Sequence, residues 1–231
     1  MKVNMFEQLG LPLRLRDEAT FNNFFYDDRD PLILSLVQLS ETCREQFMYL
    51  WGQEGSGRSH LLQAACHAVK EAGFFPIYIP LADEFPPECL QNLEQYDLVC
   101  LDDLNAIAGD PRWEEALFHF YNRIREQGSA LIVAADQAPI HAPIQLPDLR
   151  SRLSWGLTFQ VRALTDPEKM QALTLRAEQR GLVLSEEVSE FLLRHYSRDM
   201  TALINVLEKL DQAALVAKRR LTIPFVKMVL L

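Results

Sequence analysis

Cysteine is scarce in these 231 residues: Cys43, Cys66, Cys89 and Cys100 are the only four. None forms a C-x-x-C or Cys/His cluster, which excludes a tetrahedral zinc site and a disulfide-stapled scaffold. They read as buried, reduced thiols of a cytosolic protein. With nine glycines and twelve prolines, collagen-like and low-complexity architectures fall away as well. No apolar run approaches the roughly 20 residues that cross a bilayer. The N-terminus lacks the basic, apolar and small-residue regions of a secretory signal, so the expected location is cytoplasmic, without membrane contact. Basic charge is also short: 23 Lys and Arg against 32 Asp and Glu leave a net charge of −9. That balance is not the electrostatic footprint of an autonomous duplex-DNA binder, so any DNA contact is expected to be indirect or weak.

What the chain has is enough apolar sequence, 48%, for a folded core of ordinary size. From Phe47 onward, short apolar runs alternate with helical patterns: Phe47 to Trp51, Phe75 to Leu81, Leu98 to Leu101, Ala130 to Ala135 and Leu157 to Val161. That alternation predicts an α/β fold, a parallel sheet flanked by helical crossovers. After Gly57, Leu61, Leu62, Ala65, Cys66, Val69 and Ala72 fall at helical spacing, with Gly73 as a stop. A second helix is expected from about Pro111 to Gln127, ended by Gly128, its aromatic stripe facing the core. The loop from Asp136 to Pro147, with three prolines, is the least regular stretch of the core and leads into an arginine-containing segment. After Thr165 the pattern becomes wholly helical. Asp166 and Pro167 read as N-cap and first-turn residues, further helices follow Ser185 and carry Met200 to Ala214, and a last one begins at Thr222 or Ile223.

Gly52-Gln53-Glu54-Gly55-Ser56-Gly57-Arg58-Ser59 follows a strand, opens a helix and fits the phosphate-loop spacing, with arginine in the lysine position. Backbone N–H groups of such a turn can cradle phosphate oxygens, the glycines permit close approach, and Ser59 is placed to ligate a phosphate-bound Mg²⁺. His60 is the next residue of this set, with no catalytic role assigned. A second element, Leu98 to Asp103, is an apolar strand ending in paired carboxylates: Asp102 would hold Mg²⁺ through water, and Asp103 stands where an acid that activates water is usual. Asp136 after the fourth strand is either a further residue near the phosphates or an Asx turn ahead of Pro139.

With these motifs and the segment Leu149-Arg150-Ser151-Arg152-Leu153-Ser154-Trp155-Gly156-Leu157, the chain resembles, from about Thr20 onward, the AAA+ module of the DnaA replication initiator. It resembles still more the Hda-type regulators related to DnaA. The runs Gly57 to Leu62, Ile107 to Asp110, Leu146 to Leu149 and Leu221 to Lys227 carry that likeness. The resemblance implies an N-terminal arm (1–19), an AAA+ P-loop core (20–164) and a C-terminal all-helical lid (165–231). In the arm, Gln8, Leu9, Leu11, Pro12 and Leu13 look like the peptide by which bacterial proteins bind the DNA polymerase III β sliding clamp. An extended segment stiffened by proline loses little entropy on docking, and its leucines can fill apolar pockets.

What the resemblance implies about function is a protein that holds ADP, or another nucleotide, with Mg²⁺, docks on the clamp, and stimulates ATP hydrolysis by DnaA. It would be associated with the nucleoid or replisome. Arg152 is then the arginine finger donated across the interface, with Arg150 as a helper. Three departures, Arg58 for lysine, Asp103 for glutamate and Thr201 for the arginine this family segment normally carries, predict poor hydrolysis in cis. They leave independent enzymatic turnover unexpected, and ADP the expected ligand. Arg198 reads as a solvated helix-end residue, and Lys218-Arg219-Arg220 as complements to a helix dipole. Trp51, Trp113 and Trp155 read as packing residues. A self-sufficient AAA+ ATPase, a non-catalytic clamp adaptor and a homodimer that buries the clamp peptide or the finger stay open as alternatives. The chain is expected to lack the helix-turn-helix domain that follows the lid in DnaA.

Overall fold

The computed structural model describes residues 15–16, 19–26, 29–44, 46–83, 85–217 and 220–230. Among these, five strands, β1 (Phe47–Trp51), β2 (Pro76–Pro80), β3 (Leu98–Asp102), β4 (Ala130–Ala135) and β5 (Leu157–Gln160), form one parallel sheet in the order β2-β3-β4-β1-β5. The expected apolar runs thus become the strands, with ends shifted by a residue in places. The alternation of side chains sends Tyr49, Val99, Leu101, Leu131 and Val133 into one core layer and Met48, Leu50, Cys100, Ile132 and Ala134 into the other. β3 and β4 are buried throughout, which is why they read as unbroken apolar runs. β5 lies at the edge and is largely exposed.

Helices α1 (Pro31–Thr42) and α2 (Arg58–Glu71) cover one face of the sheet, and α3 (Pro111–Gln127) covers the other, next to the short α4 (Pro147–Leu153). Sequence reasoning missed α1, although Asp30 caps it by accepting from the Leu32 N–H at 2.9 Å and Pro31 occupies its first turn. The irregular stretch after Asp136 ends where α4 begins, so Arg150 and Arg152 lie on a helix. Of the four cysteines, Cys66, Cys89 and Cys100 are buried as expected. Cys43 is only half-buried, since it forms the left-handed C-cap of α1 rather than a core position. Burial pushes the Cys43 thiol up to about 11 and that of Cys89 up to about 12, so neither is a ready nucleophile.

Four helices follow: α5 (Asp166–Gln179), α6 (Glu186–His195), α7 (Met200–Ala217) and α8 (Ile223–Leu230). They share a core of their own, built on Leu173, Leu192, Leu203, Leu207, Leu210 and Phe225. The start of α5 corrects the sequence reading by one position: Thr165, not Asp166, is the N-cap. Glu168 closes a capping box by accepting from both the N–H and the hydroxyl of Thr165 at 2.8 Å. Lys218 and Arg219 lie outside the described residues, and Arg220 is exposed. Among the described residues no helix is long and apolar enough to cross a membrane.

Candidate functional site

The C-terminal ends of three neighbouring strands, β3, β4 and β1, open onto a cavity of about 890 Å³. This is where ligands bind in open α/β sheets. Gly55, Ser56, Gly57, Arg58, Ser59 and His60 line it from the turn between β1 and α2, and Asp103 and Asp136 line it from the ends of β3 and β4. The turn is built by glycine. Gly55 and Gly57 have φ of +74° and +100°, and a Cβ on Gly57 would fall 2.6 Å from the Phe24 ring. Gly52 serves packing instead: it is buried, and a Cβ there would lie 2.1 Å from the Val161 main-chain oxygen at the end of β5.

Two polar atoms in the cavity wall lack any hydrogen-bond partner although buried: Ser56 Oγ and Arg58 Nη1. Arg58 is 8% exposed, and its other terminal nitrogen stands 3.8 Å from Asp103 Oδ1. Orphaned donors beside a helix N-terminus fit phosphate oxygens, which would satisfy both and complement the dipole. Ser59 faces the same space, as Mg²⁺ ligation requires. Asp102 does not line the cavity. It is buried at the strand end, where Oδ2 accepts from the Tyr78 hydroxyl at 2.7 Å and Oδ1 from the Asp103 N–H at 3.0 Å. Each of its oxygens keeps a second lone pair, so a water-mediated reach stays compatible with its chemistry. Asp103 adopts a left-handed conformation with φ 56°. Burial first, and then the Asp102 charge, raises its carboxyl above the ordinary value, partly offset by Arg58.

His60 joins three parts of the chain. Its Nε2 lies 2.8 Å from the Thr20 main-chain oxygen, its Nδ1 lies 3.3 Å from Arg176 Nη2, and its ring stacks on Phe24 with centroids 5.3 Å apart. Burial chiefly, with the Arg176 charge, pushes its imidazole down to about 4. The ring is therefore neutral, donating to Thr20 through Nε2–H and accepting from Arg176 at Nδ1. Arg176, on α5, is 6% exposed and lines the cavity. Sequence reasoning missed it, although the signal was there: a charged residue on the helix face that buries Ala172, Leu173 and Ala177. Thr201 lines the cavity from α7, whereas Arg198 is exposed and faces Asp166 at 3.8 Å. Asn23, Phe24 and Phe25, from the aromatic stretch Phe21 to Tyr26 ahead of α1, line the same space.

Arg152 does not line this cavity. Its guanidinium lies 4.5 Å from the Trp155 ring centroid and 6.0 Å from that of Tyr121, and Arg125 stands 5.7 Å from the same Trp155 ring. Trp155 itself is 60% exposed, which corrects the expectation that it packs inside; Trp113 is buried and Trp51 partly so. The reason is Gly156: a Cβ there would lie 2.2 Å from the Phe47 main-chain oxygen, so the backbone docks at that point and leaves the preceding indole outside. Gln8, Leu9, Leu11, Pro12 and Leu13 lie outside the described residues.

Comparison with known proteins places this geometry. A model of the Hda lid domain matches residues 166–230, and a model of the bacterial DnaA ATPase domain matches residues 80–160. Among solved structures, domain III of the Thermotoga maritima replication initiation protein DnaA is similar at 20% identity and a TM-score of 0.76, covering 94% of this chain and 97% of that one. AMPPCP-bound DnaA from Aquifex aeolicus is similar at 22% identity and a TM-score of 0.69, covering 89% and 69%. The Thermotoga maritima RuvB Holliday junction branch migration motor is similar at 14% identity and a TM-score of 0.64, covering 86% and 65%. At these identities the structures establish the fold, a parallel five-stranded AAA+ core followed by a helical lid. The two family matches, on either side of residue 160, support a likeness to Hda and DnaA in both the core and the helical region.

Proposed function

We propose that this chain is a nucleotide-holding regulator that stimulates hydrolysis of the ATP held by DnaA, by inserting Arg152 into the partner's site. The observation that carries the reading is a division of labour between two places. The cavity holds buried, unpartnered phosphate-seeking groups but Thr201 where the family segment carries arginine, while Arg152 stands apart from it beside an exposed tryptophan. In cis, Arg58 and Ser56 would grip a diphosphate, and Ser59, with Asp102 through water, would hold Mg²⁺. Bound Mg²⁺ would neutralise diphosphate charge. ADP is the ligand this set suits best, because a planar guanidinium grips diphosphate oxygens but replaces poorly the compact lysine between the β- and γ-phosphates. Asp103, one methylene shorter than the glutamate usual at this position, reaches less far toward an attacking water, which again favours holding over turnover.

In trans, Arg152 would neutralise charge developing on the partner's γ-phosphoryl oxygens. Such fingers contribute roughly 10³ to 10⁵ in rate in other NTPases. The arm (1–19) would tether the protein to the sliding clamp through Gln8, Leu9, Leu11, Pro12 and Leu13, placing it at the replisome with DNA contacted indirectly. Hydrolysis of DnaA-bound ATP would then follow clamp loading and prevent re-initiation.

The test is conversion of DnaA-bound ATP to ADP in the presence of this protein, ADP, sliding clamp and duplex DNA. Wild type should stimulate, and both Arg152→Ala and deletion of residues 8–13 should abolish the effect while each variant still binds ADP. Absence of stimulation by wild type, with every component shown to be active, overturns the reading.

A further inference from the structure

Glu114 is a fully buried carboxylate, 1% exposed, in the first turn of α3. Among the described residues it has no ion-pair partner; its charge is held by backbone N–H groups instead. Oε1 accepts from Gly109 at 2.8 Å and from Gln145 at 3.0 Å, and Oε2 accepts from Leu146 at 2.7 Å and from Gln145 at 3.0 Å. Three donors divided between the two ends of the group require that both of its terminal atoms accept. Among side chains of this length only a carboxylate meets that demand, since an amide would set an N–H against an N–H.

The two loops held there have different destinations. Gly109 closes the turn that leaves Asp103, and that turn presents Asn105 and Ala106 to the nucleotide cavity. Leu146 is the N-cap of α4, the helix that carries Arg150 and Arg152. It offers no side-chain cap, and α4 is only seven residues long. Such a helix has little intrinsic stability, so its position depends on what fixes its ends. Leu149 and Leu153 bury its inner face, and the Arg150 guanidinium donates to the Ile144 main-chain oxygen. The N-terminal end is fixed by Glu114.

We infer that Glu114 is a positioning residue for Arg152: one carboxylate ties the cavity-side turn to the finger helix, so that a nucleotide bearing on the turn also steadies the finger. This rests on the reading of Arg152 as a trans finger, and the experiment separates the two. Glu114→Gln keeps the size of the side chain and removes one acceptor. Hydrogen exchange at Gly109, Gln145 and Leu146 should quicken by about tenfold or more, with protection in the remainder of α3 retained. In the DnaA hydrolysis assay the maximal stimulated rate should fall by about tenfold or more, while the half-saturating concentration and the affinity for ADP change by less than about twofold. ADP should slow exchange at Gln145 and Leu146 in wild type and lose that effect in Glu114→Gln. Unchanged exchange at these amides overturns the inference, as does a rate loss matched by an equal loss of ADP binding and of folded protein. If wild type gives no stimulation, the Arg152 reading fails, and the exchange data alone decide whether Glu114 fixes α4 and links it to the cavity.

Discussion

The Nε2–H of His60 is bonded to the Thr20 carbonyl at 2.8 Å, and this contact holds the chain ahead of the core against α2, while the opposite ring nitrogen faces Arg176 of α5. The relation works only for neutral imidazole, because a second ring N–H would point at a guanidinium. With a folded value of about 4 against an unfolded value near 6.5, the folded state binds fewer protons. The stabilisation is complete above about pH 6.5 and is lost as the pH falls toward 4. Between pH 7 and pH 5 it should amount to up to about 2 kcal/mol. Urea denaturation of wild type and His60→Phe at both pH values checks this, and equal pH dependence in the two proteins contradicts it.

Arg58 carries a buried Nη1 with no hydrogen-bond partner, so its removal should affect nucleotide binding more than folding. Charge-assisted hydrogen bonds to phosphate contribute roughly 1.5 to 3 kcal/mol. Arg58→Ala should therefore weaken ADP by about 10- to 100-fold, read by calorimetric titration. Without nucleotide, its unfolding free energy should fall by less than about 1 kcal/mol, because a poorly compensated buried charge leaves with the side chain.

Arg152 lies against Trp155 at 4.5 Å, with the plane of its guanidinium available to an aromatic face as lysine's ammonium is not. Arg152→Lys should fail to restore stimulated hydrolysis, leaving it within about tenfold of Arg152→Ala, while ADP affinity stays at the wild-type value. Recovery by lysine to near wild-type rates would mean that point charge alone suffices and that fork geometry is irrelevant.

Gly57 and Gly73 both have positive φ, +100° and +90°, yet only Gly57 faces a neighbour, the Phe24 ring 2.6 Å from where a Cβ would stand. Alanine at either position incurs backbone strain; at Gly57 it must also displace the ring that stacks on His60. Gly57→Ala should be the more destabilised by on the order of 1 kcal/mol in paired denaturation curves, and it alone should lose ADP affinity. Equal losses at the two sites would assign the whole effect to φ.

Local chemistry made much of this molecule legible. β3 and β4 were readable because two-sided burial demands unbroken apolar runs. The helices after Gly57 and up to Gly128 were readable because their stripes and terminal glycines are local signals. The glycine-rich turn before α2 and the paired aspartates at the end of β3 were readable because each is a motif of fixed residue types at fixed spacing. Asp166 was misplaced by one position because Thr165 and Asp166 are both competent caps, and the choice fell to the Glu168 side chain that reaches back to Thr165.

The sequence by itself determined the parallel α/β core, the all-helical region after it and the position of the glycine-rich turn before α2, since each follows from periodicity or spacing within a few turns of chain. Only the tertiary structure decided that Arg176 meets His60 in the cavity wall, that Trp155 stands outside, and that Glu114 gathers N–H groups from residues 5 and 31 to 32 positions away. These depend on which surfaces come to cover one another across long sequence separations. A buried charge is tolerated wherever enough donors or acceptors converge on it, and that convergence exists only once the chain has folded.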